Sequence, residues 1–227
     1  MTADPRLSVW VIRAAVATVV GIAIAILLNW RLGLTAAVLV AIADTVYRSM
    51  HGPYIPADAL ATSAQRQTRR RLRSLRRAGY LALNARAIPG SDQVIDHLVI
   101  GPAGVFALDS ERWDRRLPIR TVAGGMLYHG PYSQKDRLRH ARWEASRAST
   151  LVGAELKREL TVRPAMVIYG PTIPWDVASL RGVDVFAGGR ISKYFKRQSK
   201  ASRKQRLEAE QIEAIREAAA RALPPVR

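Results

Sequence analysis

Apolar positions fall into two kinds of run along this chain. The first kind is long and almost unbroken: residues 9–28 read VWVIRAAVATVVGIAIAILL, and a second apolar run covers residues 32–47. At about 1.5 Å rise per residue, the first run spans roughly the 30 Å hydrocarbon core of a bilayer. The second reaches only about 24 Å, with Tyr47 and Arg48 placed as interfacial anchors for a thinned or snorkelling end. Only Asn29, Trp30 and Arg31 separate them, so the two helices must be antiparallel neighbours. The pattern predicts a two-helix transmembrane hairpin over residues 1–50. Arg6 and Arg48 flank its open end and a lone Arg31 its turn, which puts both termini in the cytoplasm. Arg13 and Asp44 interrupt the spans at comparable depth, where they can pair.

The second kind of run is short and punctuated. Residues 51–60, with Gly52, Pro53 and Pro56, read as a linker. A helix is predicted over 59–78, its buried stripe being Ala61, Ala64, Thr68, Leu72 and Leu75. Its other face is cationic, with Arg66, Arg69, Arg70, Arg73, Arg76 and Arg77. Three strands follow, over 80–88, 94–100 and 105–108, separated by the turn segments Pro89-Gly90-Ser91 and Gly101-Pro102-Ala103-Gly104. That spacing predicts an antiparallel meander. Residues 117–122 and 126–129 form a further hairpin around Gly124-Gly125, and a long helix runs over 135–160. Strand-like runs recur at 164–169 and 183–186. The basic stretch 193–206 then leads into an amphipathic helix over 205–223. The expected organisation is a hairpin (1–50), a linker (51–60), one α/β domain (61–190) and a basic C-terminal helical segment (191–227).

Charge narrows the class of partner. The chain has 36 Lys plus Arg against 18 Asp plus Glu, a formal net charge of +18. An excess of this size attracts a polyanion, either nucleic acid or an anionic membrane leaflet. With no cysteine in 227 residues, disulfides, thiolate zinc sites and cysteine nucleophiles are excluded, and any metal must sit on oxygen or imidazole. The sequence carries no Gly-Lys-Ser/Thr phosphate loop, no G-x-S-x-G elbow, no H-E-x-x-H helix and no dinucleotide fingerprint.

Three acids concentrate the candidate chemistry. Alternation sends Asp109 and Glu111 in LDSERW to one face at the end of the third strand, and Asp96 in VIDHLVIG comes from its neighbour. Carboxylates converging in so basic a protein suit a divalent cation facing a phosphate. The competing arrangement has Asp109-Ser110 capping a turn and Glu111 paired with a neighbouring arginine. Around these acids, Arg69, Arg73, Arg112, Arg115 and Arg116 are the candidate phosphate contacts. His97 points to the other sheet face and reads as a hydrogen-bonded core or rim histidine. Trp113, Trp143 and Trp175 either stack on bases or fill core and rim.

The run IPGSDQVIDHLVIGPAGVFALDSERW resembles the core of the NERD family, the nuclease-related domain, with a weaker likeness from about Ala61 to Leu160. That family is similar in turn to the PD-(D/E)xK nucleases, and bacterial members with amino-terminal membrane segments are familiar. The resemblance implies a restriction-endonuclease-like mixed sheet flanked by helices and a Mg2+ site, with Mn2+ as the alternative ion. It assigns Asp96 and Asp109 to the metal. The family's lysine falls at Glu111 and its helix acid at Gln65, both departures. Glu111 then keeps only the roles of general base or third ligand.

The expectation is therefore an α/β, restriction-endonuclease-like domain behind a transmembrane hairpin. It is multi-pass in the cell membrane with its soluble part cytoplasmic, binds nucleic acid, and has weak or lost Mg2+-dependent cleavage. The alternative is a non-catalytic membrane-associated scaffold that binds anionic lipid or protein partners.

Overall fold

A computed structural model describes residues 38–40, 42, 57–202 and 205–226. The expected hairpin lies outside the described residues, apart from those few positions. Among the described residues no helix is long and apolar enough to cross a membrane. The chain divides into two compact units, Met1–Ile55 and Pro56–Arg227, and the second holds everything that follows.

It opens with helix α1 (Ala57–Ser74), which tightens into a 3-10 turn over Leu75–Ala78 and stops at Gly79, whose φ of 80° suits a residue without a Cβ. Strands β1 (Leu81–Ala87), β2 (Val94–Gly101) and β3 (Gly104–Arg112) form the antiparallel meander that the two turns predict. Next come β4 (Ile119–Val122), β5 (Met126–His129) and β6 (Tyr132–Ser133), then helix α2 (Lys135–Leu156). Strands β7 (Val162–Tyr169), β8 (Ala178–Leu180) and β9 (Val183–Ala187) precede helices α3 (Ile191–Ala201) and α4 (Ala209–Ala222).

The main sheet is mixed, with six strands in the order β1-β2-β3-β7-β9-β8. β3 pairs with β7 and β7 with β9 in parallel, and β8 runs antiparallel to β9. A parallel neighbour requires a crossover. Between β3 and β7 that crossover contains α2 and the small antiparallel sheet β4-β5-β6.

Helices cover both faces, and the alternation along β3 shows how. Phe106 and Leu108 join Ala64 and Leu72 of α1 and Tyr194 and Phe195 of α3. Val105 and Ala107 join Ala145, Ala148 and Val152 of α2 and Ile215 of α4. A third cluster ties Ile119 and Leu127 of the small sheet to Leu138 of α2 and Met166 of β7. The basic stretch that begins at Lys193 is thus not wholly solvated, since α3 buries Ile191, Tyr194 and Phe195.

Two boundaries depart from the periodicity. Helix α2 ends before residue 160 because Lys157 turns left-handed, with φ 54°, its amide donating to the Ala154 carbonyl and that of Arg158 to the Gly153 carbonyl. Strand β3 runs four residues past Leu108, because Asp109 and Glu111 are held in the ladder opposite Met166 and Ile168 of β7. The acids therefore lie inside a strand and not in a loop beyond it.

Candidate functional site

Strand alternation aims Asp109 and Glu111 at α2, while Ser110 between them faces α1, where its hydroxyl donates to Thr68 Oγ1 at 2.9 Å. Thr68 in turn bonds the Tyr169 hydroxyl at 2.9 Å. This buried chain of hydroxyls fixes the twist of β3 at the point where the acids emerge.

Asp96 stands where the β2–β3 ladder stops. Its last pair is His97 with Leu108, and beyond it the Ser110 amide donates to Asp96 Oδ2 at 2.9 Å instead of to a main-chain carbonyl. Gln65 of α1 donates its side-chain amide to the other oxygen, Oδ1. Both carboxylate oxygens are thereby positioned. Each retains a lone pair, since an ionised carboxylate has about four acceptor sites.

Glu111 is held from two sides. Arg137 of α2 donates to Oε1, and the Trp113 indole donates to Oε2 at 3.2 Å. Its carboxylate is largely enclosed, at 10% exposure, while the arginine stays 56% exposed. A fourth acid, Glu144 of α2, is buried and pairs with His140 Nε2 at 3.0 Å. Among the described residues no donor is hydrogen-bonded to Asp109.

These acids act on one another. Burial pushes Asp96 up to about 7, and the charges of Glu144 and Glu111 add to that, while the Ser110 amide and Gln65 pull the other way. Burial also raises Asp109 well above the usual carboxylate range; Glu111, Asp96 and Glu144 raise it further, and Arg137 opposes them. The hydrogen bond to Glu144 holds His140 above its ordinary value. The cluster is therefore short of positive charge, in a protein with a large positive excess elsewhere.

That deficit bears on whether a divalent cation fits. Among the described residues no set of three or more His, Asp and Glu side chains is arranged as a ready cage. The donor set that remains is Asp96 and Asp109, with Glu111 committed to Arg137. Two carboxylates suit Mg2+, which keeps several waters and needs only one or two protein acids. In number and chemistry these donors match what such an ion takes from a protein, though among the described residues no metal site is assembled.

The candidate phosphate contacts fall on two elements. Arg69 and Arg73 of α1, with Arg76 and Arg216, line a cleft of about 340 Å³ against residues 81–84 of β1. Asn84 in that cleft also bonds Nδ1 of His97, the neighbour of Asp96, at 2.7 Å. At the end of β3, Arg112 reaches Ser63 Oγ at 3.3 Å, Arg115 is exposed, and Arg116 is ion-paired with Asp114 at 2.8 Å. His97 is 2% exposed, and burial lowers it to about 4, so it is a core histidine.

Two members of the cluster carried no mark in the sequence reading. Glu144 stands three residues after Ala141 of the buried stripe and four after His140, a spacing that could have flagged it. Arg137 offers no such signal, because its partner is remote in sequence.

The comparisons with curated proteins and with solved structures returned no match. Gln65, Asp96, Asp109, Glu111, Arg137, His140 and Glu144 all lie within residues 61–169, and that stretch matches the family NERD, the nuclease-related domain.

Proposed function

We propose that the nuclease-related domain binds nucleic acid through its arginine-lined faces, and that its acidic pair supports Mg2+-dependent cleavage only weakly or not at all. One observation carries this reading: Gln65 and Glu111, where the resemblance places the family's helix acid and lysine, are both tied into the network. Gln65 donates to Asp96, where an acid would add a ligand. Glu111 is held by Arg137 and Trp113, where a lysine would present a cation. A general base must be able to move to the proton it takes, and two donors hold this carboxylate in place. Glu111 has Arg137 on one oxygen and Trp113 on the other.

Asp96 and Asp109 would hold the ion. Once bound, it would supply Lewis acidity and an activated water. The protein's own contribution is to fix Asp96 by two donors and to gather acids whose mutual repulsion a cation would relieve. Arg69 and Arg73 track the phosphate backbone. The apolar runs at 9–28 and 32–47 support tethering of the domain at the cytoplasmic face of the cell membrane.

The test uses the full chain purified in detergent, incubated with single- and double-stranded DNA and with RNA, plus Mg2+ or Mn2+. Binding without appreciable cleavage is the expected result. Rapid metal-dependent cutting, abolished by Asp96→Ala and by Asp109→Ala, would make it an active nuclease. Capture on anionic vesicles with no affinity for any nucleic acid would make it the scaffold instead.

A further inference from the structure

Of the three tryptophans among the described residues, Trp113 is spoken for. Its indole N–H bonds Glu111 and its ring stacks on His129. Trp175 packs on the third core cluster and donates to the Val185 carbonyl at 3.2 Å. Trp143 differs from both. It is 37% exposed, and its indole makes no hydrogen bond among the described residues.

Its surroundings set it apart from an ordinary surface residue. Trp143 lines an open hollow of about 510 Å³ on α2 together with Asp136, Arg137, Arg139 and His140. The His140 ring lies within 17° of parallel to it with centroids 5.9 Å apart, an offset arrangement. The buried stripe of α2, Leu138, Ala141 and Ala145, does not include Trp143, so packing does not require an aromatic here. The same helical segment that holds Glu111 through Arg137, and carries Glu144, thus presents two flat rings and two guanidinium groups to solvent. Among the described residues Arg139 is tied to Asp136 alone, in a pair 67% and 83% exposed, which a phosphate can displace.

We infer that Trp143, extended by His140, is a stacking platform for an unpaired nucleobase beside the acidic pair, a role that rests on the nucleic-acid reading of the domain. Bases inside a duplex already have both faces covered by their neighbours, so an exposed ring can stack only on a single-stranded, terminal or extruded base. The ligand class is therefore single-stranded nucleic acid. Arg139 meets the phosphate of the stacked nucleotide, and the strand runs past Arg137 toward Asp109.

The experiment measures fluorescence anisotropy of three labelled probes with the full chain in detergent. The probes are a thymidine 20-mer, an abasic strand of the same length, and a duplex. Trp143→Ala weakens the thymidine strand about 10-fold, the cost of one stacked base. It leaves the abasic strand and the duplex within about twofold, and Trp143→Phe keeps most of the affinity. Equal losses on the abasic strand, or none on the thymidine strand, would overturn the platform while leaving nucleic-acid binding in place. No binding of any probe by the unmodified chain would overturn both.

Discussion

Arg137 of α2 donates to the carboxylate of Glu111 on β3, across 26 positions of sequence. The pair is asymmetric, with the acid enclosed and the arginine mostly in water, so its value lies in neutralising Glu111 beside three other carboxylates. Arg137→Ala should therefore cost about 1–3 kcal/mol, the penalty of a polar group left under-satisfied. Combining it with Glu111→Gln should cost less than the sum of the single changes, because the second change removes the charge that the first exposes. Urea unfolding of the four proteins at pH 8 measures this, and strict additivity would show that the two side chains do not interact.

The acidic pair links stability to pH and to divalent cations. Asp96 and Asp109 have folded-state values raised above their unfolded ones, so the folded protein binds more protons. Their contribution is fully present below the unfolded value near 4 and is lost as pH climbs toward 7 and beyond. Asp109→Asn should flatten that decline. Millimolar Mg2+ should raise the melting temperature at pH 8, above the Asp96 value of about 7, and do little at pH 5. A melting temperature indifferent to Mg2+ at pH 8 would mean that no ion sits between the two aspartates.

His97 acts in the opposite direction. Its folded value near 4 lies below the ordinary 6.5 or so, so the unfolded chain binds the extra proton. The folded state is unaffected above about 6.5 and loses up to about 3 kcal/mol as pH falls through that value toward 4. His97→Gln, which can keep a bond to Asn84, should remove this acid-side loss. Chemical denaturation at pH 4.5 and pH 7 gives the difference, and an unchanged gap between the two would show that His97 does not carry it.

Gly170 links backbone geometry to the site. Its φ is 113°, and a Cβ there would lie 2.1 Å from the Trp113 carbonyl oxygen. Trp113 cannot step aside cheaply, because its amide bonds the Tyr169 carbonyl at 2.9 Å and its indole bonds Glu111. Gly170→Ala is expected to cost about 3 kcal/mol or more, from strain and overpacking together. It should also loosen the grip on Glu111. Thermal unfolding of the variant checks the first effect, and a cost under about 1 kcal/mol would contradict the contact.

How much of this was legible in advance depended on the range of the interaction. The meander β1–β3 was written locally, in apolar runs cut by Pro89-Gly90-Ser91 and Gly101-Pro102-Ala103-Gly104, and β1 and β2 formed with little change of boundary while β3 ran four residues further. Strand β8, only Ala178–Leu180, is too short for alternation to show. Its existence depends on pairing with β9. Helix α3 falls within the segment read as helical, but its buried face was not legible there, because Tyr194 and Phe195 find their partners in Phe106, far back in the chain. In the site, Asp96, Asp109 and Glu111 could be nominated from strand spacing, and Gln65 only through the resemblance to the family. That Gln65 would clamp Asp96, and that Arg137 would meet Glu111, are products of helix-to-sheet packing that no local spacing records.

The arginine faces predict how nucleic-acid binding depends on salt. Each phosphate contact displaces about one condensed counterion, so the logarithm of affinity falls with the logarithm of salt by roughly 0.7–0.9 per contact. Arg69 and Arg73 line the same cleft at a four-residue helical spacing, about 6 Å along the axis, which places both on one face. Arg69→Ala and Arg73→Ala should each reduce the slope by about 1 and weaken all sequences alike. Arg116 must first give up Asp114, to which it is hydrogen-bonded through both Nε and Nη2. Its replacement should accordingly change the slope by less than either of the others. Titrations at several salt concentrations distinguish the three variants. A slope insensitive to Arg69 and Arg73 but reduced by Arg116→Ala would move the backbone track from the α1–β1 cleft to the end of β3.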